Sequence, residues 1–303
     1  MPRLNAIFIY PIKSVSGIQV NAWDVTETGL KYDRQWMLIN DKQQFLSQRH
    51  APKMALIKTQ INNQQLIVSA PEQEDLILFL EPAQSSSTVL ATVWHDQCSA
   101  QLISAEADQW FSDYLQMPCR LVYQAKNSIR SVDQNYALAS DQTSFSDGFP
   151  FLITSEASLT LLNQQMNLTL SMQRFRPNLV ISGCASYAED TWRKISIGHI
   201  NFRLPKPCAR CSIPQINPET AISDKEPLRT LSRTRKWHNQ VYFGQNALHD
   251  QQGILHVNDT LIIHKAGSSQ PPLEIRSLGA PSYLMKHLGL LSPNIHSHTE
   301  RIG

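Results

Sequence analysis

Over its first 125 residues the chain alternates short apolar runs with turn-forming residues. The runs at 6–10, 18–25, 35–39, 56–61, 65–69, 76–80 and 89–94 are five to eight residues long, rich in aliphatic and aromatic side chains, and separated by Gly, Pro, Asn, Asp or Ser. That length and punctuation predict strands, and their even spacing predicts a β-rich, barrel-like unit. One segment breaks the pattern. Within 105–115, Trp110, Phe111, Tyr114 and Leu115 recur at helical spacing behind Ser104, a residue suited to capping, so a short amphipathic helix is expected with its aromatics facing a core.

Residues 126–147 are rich in Ser, Gln, Asn and Asp and poor in large apolar side chains, which suggests an interdomain crossing or a long surface loop. A second unit begins with an apolar strand at 149–153. It runs into a helix expected to end near Met166, with Thr154 or Ser155 as cap and Glu156 in the first turn. A strand follows at 178–182, then 195–204 alternates about Gly198-His199 as a hairpin would, and 257–263 reads as a final strand. Residues 267–272 are linker-like, and the last thirty hold one possible short helix at 283–288. The expected organisation is β-rich α+β: a barrel-like domain over 1–125, a second β-barrel domain with a few helices over 126–267, and a tail over 268–303.

Composition removes several classes of function. At 303 residues, 42% hydrophobic and 17% charged, the chain has enough apolar material for two cores or one large one. A formal charge of +2 gives no global reason to expect nucleic acid or a membrane as partner. The N-terminal apolar run is too short for a signal-peptide core, and no stretch approaches the roughly 20 apolar residues that span a bilayer. Five cysteines, an odd number in a chain of this size, argue against a disulfide framework and for a reducing compartment, with the cytoplasm as expected location.

Candidate chemistry gathers at Pro207-Cys208-Ala209-Arg210-Cys211-Ser212-Ile213-Pro214. Two thiols at this spacing can hold a metal, exchange a disulfide or be buried and inert. A structural zinc site needs a second ligand pair, which the sequence lacks, so zinc is not expected. A thioredoxin-type dithiol wants a helix N-terminus, and Pro214 and Pro218 oppose a helix there. Arg210 beside Cys211 favours thiolate. Cationic groups able to cradle an anionic cofactor occur at Lys13-Ser14, at Asp33-Arg34 and at Arg174-Phe175-Arg176-Pro177-Asn178, each weak when taken alone.

Taken together, Tyr10-Pro11-Ile12-Lys13-Ser14, Asp33-Arg34-Gln35-Trp36, Arg174-Phe175-Arg176-Pro177-Asn178 and Cys208-Ala209-Arg210-Cys211 resemble the MOSC superfamily, in the branch of the amidoxime-reducing component and the YcbX proteins. The resemblance covers about residues 5–265 and implies an N-terminal MOSC-associated β-barrel domain followed by a MOSC-type barrel domain. It also implies a molybdenum cofactor, molybdopterin-bound, with Cys211 as the protein's ligand to the metal. By position it assigns Lys13, Ser14, Arg34, Arg176, Asn178 and Arg210 to cofactor binding. Two departures stand out. Ala209 replaces a serine of the human members, and Asp147-Gly148-Phe149 replaces their Asp-Thr-Ser, so that Gly148 and Phe149 could offer backbone amides but no hydroxyls, with Asp147 a possible pocket residue.

The implied activity is reduction of N-hydroxylated compounds (hydroxylamines, N-hydroxylated bases, amidoximes). The alternative is a cofactor or sulfur carrier without turnover. No cysteine follows Cys211, so a plant-type iron–sulfur cluster is not expected in this chain. Electrons would then come from an external donor protein of flavodoxin, ferredoxin or flavin-reductase type. The basic residues Arg229, Arg233, Arg235, Lys236 and His238 read first as a solvated face and second as a docking surface for such an acidic donor.

Overall fold

The structure, a computed structural model, describes residues 1–83, 87–124 and 127–272. The expected helix at 283–288 and the expected tail beyond residue 272 lie outside the described residues. The first strands are β1 (Arg3–Ile9), β2 (Ile18–Val20), β3 (Ala22–Thr26), β4 (Gly29–Leu30) and β5 (Trp36–Ile39). They are followed by β6 (Lys58–Asn62), β7 (Gln65–Ser69), β8 (Leu76–Phe79), β9 (Thr88–Val93), β10 (Asp96–Leu102), helix α1 (Ala105–Leu115) and β11 (Arg120–Gln124).

Two small sheets and α1 form the barrel-like N-terminal domain. One is antiparallel in the order β5-β11-β10-β9, the other β6-β7-β8. Alternating side chains such as Leu66, Val68, Leu76 and Leu78 turn inward to meet Trp36, Leu38, Met54 and Leu121. Helix α1 closes this core as its spacing predicts. Ser104 Oγ accepts the Ala107 N–H as cap, and Phe111, Tyr114 and Leu115 are buried.

The second half contributes β12 (Phe151–Ser155), α2 (Glu156–Met166), β13 (Leu179–Ser182), β14 (Trp192–Ile197) and β15 (Ile200–Ala209). Helix α3 (Leu228–Thr234) and strands β16 (Lys236–Trp237), β17 (Gln240–His249), β18 (Gly253–His256) and β19 (Leu261–Ala266) complete it. Strands β12 to β15, β17 and β19 join β1 and β2 in the second domain's large mixed sheet, in the order β19-β14-β15-β17-β12-β13-β1-β2, with β16 on β17 and only β12 and β13 parallel; β18 pairs with β3 in a smaller sheet. Ser155 caps α2 by accepting the Ser158 N–H, and Ile197 pairs with Ile200 across the Gly198-His199 turn, both as expected.

Three features depart from the pattern of the sequence. The first thirty residues enter the second domain's sheets, β1 between β13 and β2, and β3 against β18. The final strand begins at Leu261 rather than 257, because Asn258 takes a left-handed turn at φ 77°. The polar segment is no plain surface loop. Arg130, Val132 and Thr143 through Ser146 are buried, and Arg203 on β15 clamps Asp141 through both oxygens at 3.0 and 2.7 Å. Among the described residues no helix is long and apolar enough to cross a membrane.

Candidate active site

Segments far apart in sequence meet around one cleft. The first is the turn after β1. Tyr10 N–H donates to Asp33 Oδ1 at 2.8 Å, Lys13 N–H to the Trp36 carbonyl at 2.8 Å, and Arg34 N–H to the Tyr10 carbonyl at 2.7 Å, which binds the 10–15 turn to the 33–36 turn. Ser14 and Arg34 both adopt left-handed backbone, at φ 67° and 50°. Such strain in non-glycine residues persists only where the surroundings over-determine it, and here it turns both side chains to the cleft.

The segment Arg174 to Asn178 splits its duties. Arg174 is buried and donates to the Pro214 and Gln215 carbonyls at 2.8 and 3.1 Å, so it anchors the loop after the cysteines and does not line the cleft. Arg176, left-handed at φ 55°, lines the cleft, donates to the Val15 carbonyl at 2.6 Å and reaches over the Tyr10 ring. Arg34 covers the same ring, each guanidinium 4.3 Å from its centre. Burial raises the Tyr10 phenol to about 12 although both arginines pull the other way, so it stays a neutral donor to the Pro177 carbonyl. Burial, together with repulsion from Arg34, lowers Arg176 to about 10. Asn178 also lines the cleft, but its amide is largely used within the protein. Its oxygen accepts from Arg34 and from the Leu152 N–H, and its nitrogen donates to the Phe8 carbonyl, so its clear role is to orient Arg34.

The loop before β12 supplies the second wall. Arg130 holds it from behind by donating to the Ser144 and Ser146 carbonyls at 2.9 and 2.6 Å. Asp147 then pairs with Lys13 at 2.6 Å and accepts from Trp94 Nε1 at 3.2 Å. The cleft walls around it would raise the Asp147 carboxyl although one side stays open to solvent, but the Lys13 ammonium overrides this and holds the group well below the usual carboxylate range. Burial lowers Lys13, opposed by that same carboxylate. Gly148 and Phe149 line the cleft, and their amides donate to no described residue.

The cysteine segment leaves the end of β15. Opposite it β17 carries an extra residue, because the pairing slips between Pro207 with Gln245 and Ala209 with Tyr242. Gly244 makes this bulge possible at φ 79°, and an added Cβ would sit 2.8 Å from the Ile153 carbonyl. Past the bulge the two thiols differ. Arg210 Nη1 donates to Cys208 Sγ at 3.0 Å, not to Cys211 as adjacency in sequence suggests, and Arg210 Nη2 donates to the Phe175 carbonyl at 2.8 Å. Burial raises the Cys208 thiol, with Arg210 opposing, and its Sγ lies 3.7 Å from the Ala209 carbonyl. Cys211 lines the same cleft with no hydrogen-bond partner among the described residues. A single 3₁₀ turn, Ile213–Gln215, follows instead of an α-helix.

Lys13, Ser14, Arg34, Asp147, Gly148, Phe149, Arg176, Asn178, Arg210 and Cys211 thus all border one cleft. Sequence reasoning missed Phe45, Ser47 and Arg49, which border it too, and Arg130 behind it. No local motif marks them, since only the folded barrel brings the 45–49 loop to this wall. The donor set fits an anionic pterin cofactor. Arg176 Nη2 and Arg210 Nε are buried beside the cleft with no acceptor, an arrangement that calls for a ligand oxygen or nitrogen. Of the two thiols at the cleft only Cys211 lacks a hydrogen-bond partner, and no group of three metal-ligating side chains exists among the described residues.

This fold and cleft define a class, and comparison with known proteins agrees. Residues 1–118 match the MOSC N-terminal beta barrel domain and residues 140–262 match the MOSC domain. The chain belongs to the MOSC family, in its amidoxime-reducing branch. It is 34% identical over 274 residues to mitochondrial amidoxime-reducing component 1 of Mus musculus, covering 85% of this chain and 81% of that protein. It is 32% identical to mitochondrial amidoxime reducing component 2 of Bos taurus, over 77% of this chain and 72% of that protein. A molybdenum cofactor sulfurase of Oryza sativa subsp. japonica is 31% identical over 80% of this chain but only 32% of its own length.

Proposed function

We propose that this protein is a molybdenum-cofactor-dependent reductase of N-hydroxylated compounds that draws its electrons from an external donor protein. The carrying observation is the asymmetry of the thiols: Cys208 is tied to Arg210, while Cys211 stands unpartnered in a cleft ringed by guanidiniums with unused N–H groups. The kinship to two mammalian amidoxime-reducing components supports the substrate class.

Bound in this cleft, the cofactor would supply the two-electron couple and a metal able to take up oxygen from the substrate. Lys13, Ser14, Arg34, Arg176 and Arg210 would hold the phosphate and pterin oxygens, the Gly148 and Phe149 amides would add donors, and Cys211 would ligate the metal. The net reaction takes R–NHOH, two electrons and two protons to R–NH2 and water. The ionised Asp147 keeps Lys13 charged against its burial. Asn178 and Tyr10 fix the arginines that face the cofactor, so their charge is in place before it binds.

The donor would approach from behind the thiol. A second cleft shares Arg210 and Cys211 with the first and is walled by Leu228 and Ser232 of α3 and by 239–241. Arg229, Arg233, Lys236 and His238 are exposed on this side, which suits an acidic partner. Arg235 is not part of that face: it is buried and paired with Asp190 at 2.6 Å. The odd number of cysteines is what supports a reducing compartment, the cytoplasm, as the protein's location.

The kinship to a sulfurase favours a second reading, a carrier that holds the cofactor or a sulfur atom on Cys211 without turnover. Metal and pterin analysis with an amidoxime assay driven by an artificial dye donor separates the two. The protein should contain both and reduce the amidoxime, Cys211→Ala should lose molybdenum and activity while staying folded, and Cys208→Ser should keep most of both. Full molybdenum occupancy in Cys211→Ala would refute the ligand assignment, and persulfide on Cys211 without reduction would favour the carrier.

A further inference from the structure

Each guanidinium so far placed at the cleft uses part of its hydrogen-bonding capacity on the protein backbone. Arg34 donates to the Arg176 carbonyl, Arg176 to that of Val15, and Arg210 to that of Phe175. Arg49 is the exception. Its side chain donates to no described residue, has no ion pair, and is held by the faces of two aromatic rings, Trp94 at 4.8 Å and Phe45 at 5.9 Å. It nevertheless borders the cleft, and its Nη1 is buried without an acceptor.

A solvated surface arginine does not show this combination, because a guanidinium free to move leaves its N–H groups in water. Contact with two ring faces confines the Arg49 guanidinium, while its N–H groups, which can fork onto oxyanions, donate to no described residue. The nearby acid is already engaged. One Asp147 oxygen accepts from both Lys13 and Trp94, and Arg49 acts on that carboxylate only through its charge. Trp94 and Asp147 are both exposed, so this wall is the solvent-facing rim of the cleft, opposite the inner Arg34 and Arg176.

We propose that Arg49 is an oxyanion-binding residue of this cleft, pre-set by Trp94 and Phe45 to receive a phosphate or carboxylate. It deepens the reading of the cleft as a pterin and substrate site and rests on it. The oxyanion has two sources of the same chemistry, the phosphate end of the cofactor and an acidic substituent on the substrate.

The test compares wild type, Arg49→Ala and Arg49→Lys, all checked for folding by circular dichroism. Three readouts are taken: pterin per chain after gel filtration, inorganic phosphate affinity of pterin-free protein by calorimetry, and KM for benzamidoxime against its carboxylated analogue with an artificial dye donor. If the cofactor supplies the oxyanion, Arg49→Ala weakens phosphate binding roughly tenfold and retains less pterin, with Arg49→Lys between it and wild type. If the substrate supplies it, pterin is retained, and KM rises roughly tenfold for the carboxylated amidoxime alone. Unchanged phosphate affinity, pterin content and KM ratio in both variants would overturn the proposal. Failure of the parent reading looks different: wild type itself would then carry no pterin, while the phosphate measurement on Arg49 still decides.

Discussion

Gly244→Ala and Gly148→Ala are the same chemical change at two glycines of the site region, and the structure assigns them opposite outcomes. At Gly244 the new methyl would meet Thr154 Cγ2 at 2.7 Å, the Ile153 carbonyl at 2.8 Å and Leu152 Cδ1 at 3.0 Å, on backbone at φ 79°. The Ile153 backbone has little room to yield, because β12 is hydrogen-bonded on both sides, to β13 and to β17. Left-handed strain of about 1–3 kcal/mol and overpacking of about 1–3 kcal/mol combine to a loss of about 2–6 kcal/mol. At Gly148 no heavy atom lies within 4 Å of the added carbon, and alanine should change stability by less than about 0.5 kcal/mol. Urea unfolding followed by circular dichroism measures both. The Gly244 variant should also retain less pterin, since the bulge sets where Cys208 and Arg210 leave β15. Equal stability of the two variants would refute the account of the bulge.

Two further outcomes follow from the site's charges. Asp147→Asn should lose about 1 kcal/mol at neutral pH, a small value because the carboxylate is 61% exposed. Because Lys13 lowers the folded-state carboxyl, that contribution is fully present above the unfolded aspartate value of about 4 and fades as pH falls below it. A wild-type advantage that stays constant from about pH 7 to about pH 2.5 in urea titrations would contradict the pairing. Arg229→Glu combined with Arg233→Glu should slow turnover with reduced flavodoxin roughly tenfold and reduce its salt dependence, while dye-driven turnover is unchanged. Equal loss with the dye would place the effect in the fold, and no loss with flavodoxin would remove α3 from the docking face.

The local elements were legible where one chemical rule governs them. Ser104 and Ser155 cap their helices because a hydroxyl answers an orphan N–H whatever surrounds it, and strand alternation at 65–69 follows the pleat. The final strand was placed too early because a left-handed Asn258 has no marker among apolar neighbours. The basic run illustrates a deeper limit. Arg235 sits in it like its neighbours, yet burial against Tyr187 and Asp190 separates it from Arg229 and Arg233, and only packing could show that.

The sequence by itself determined the strand-rich class, the caps, the family and part of the cleft's border, because each rests on local chemistry or on ordered motifs. The tertiary structure decided how these residues work, since partnership is a property of distance. It sent the first thirty residues into the second domain's sheet, turned Arg210 toward Cys208 so that Cys211 was left free, engaged the Asn178 amide with Arg34, and brought Arg49 to the rim through a loop that carries no motif.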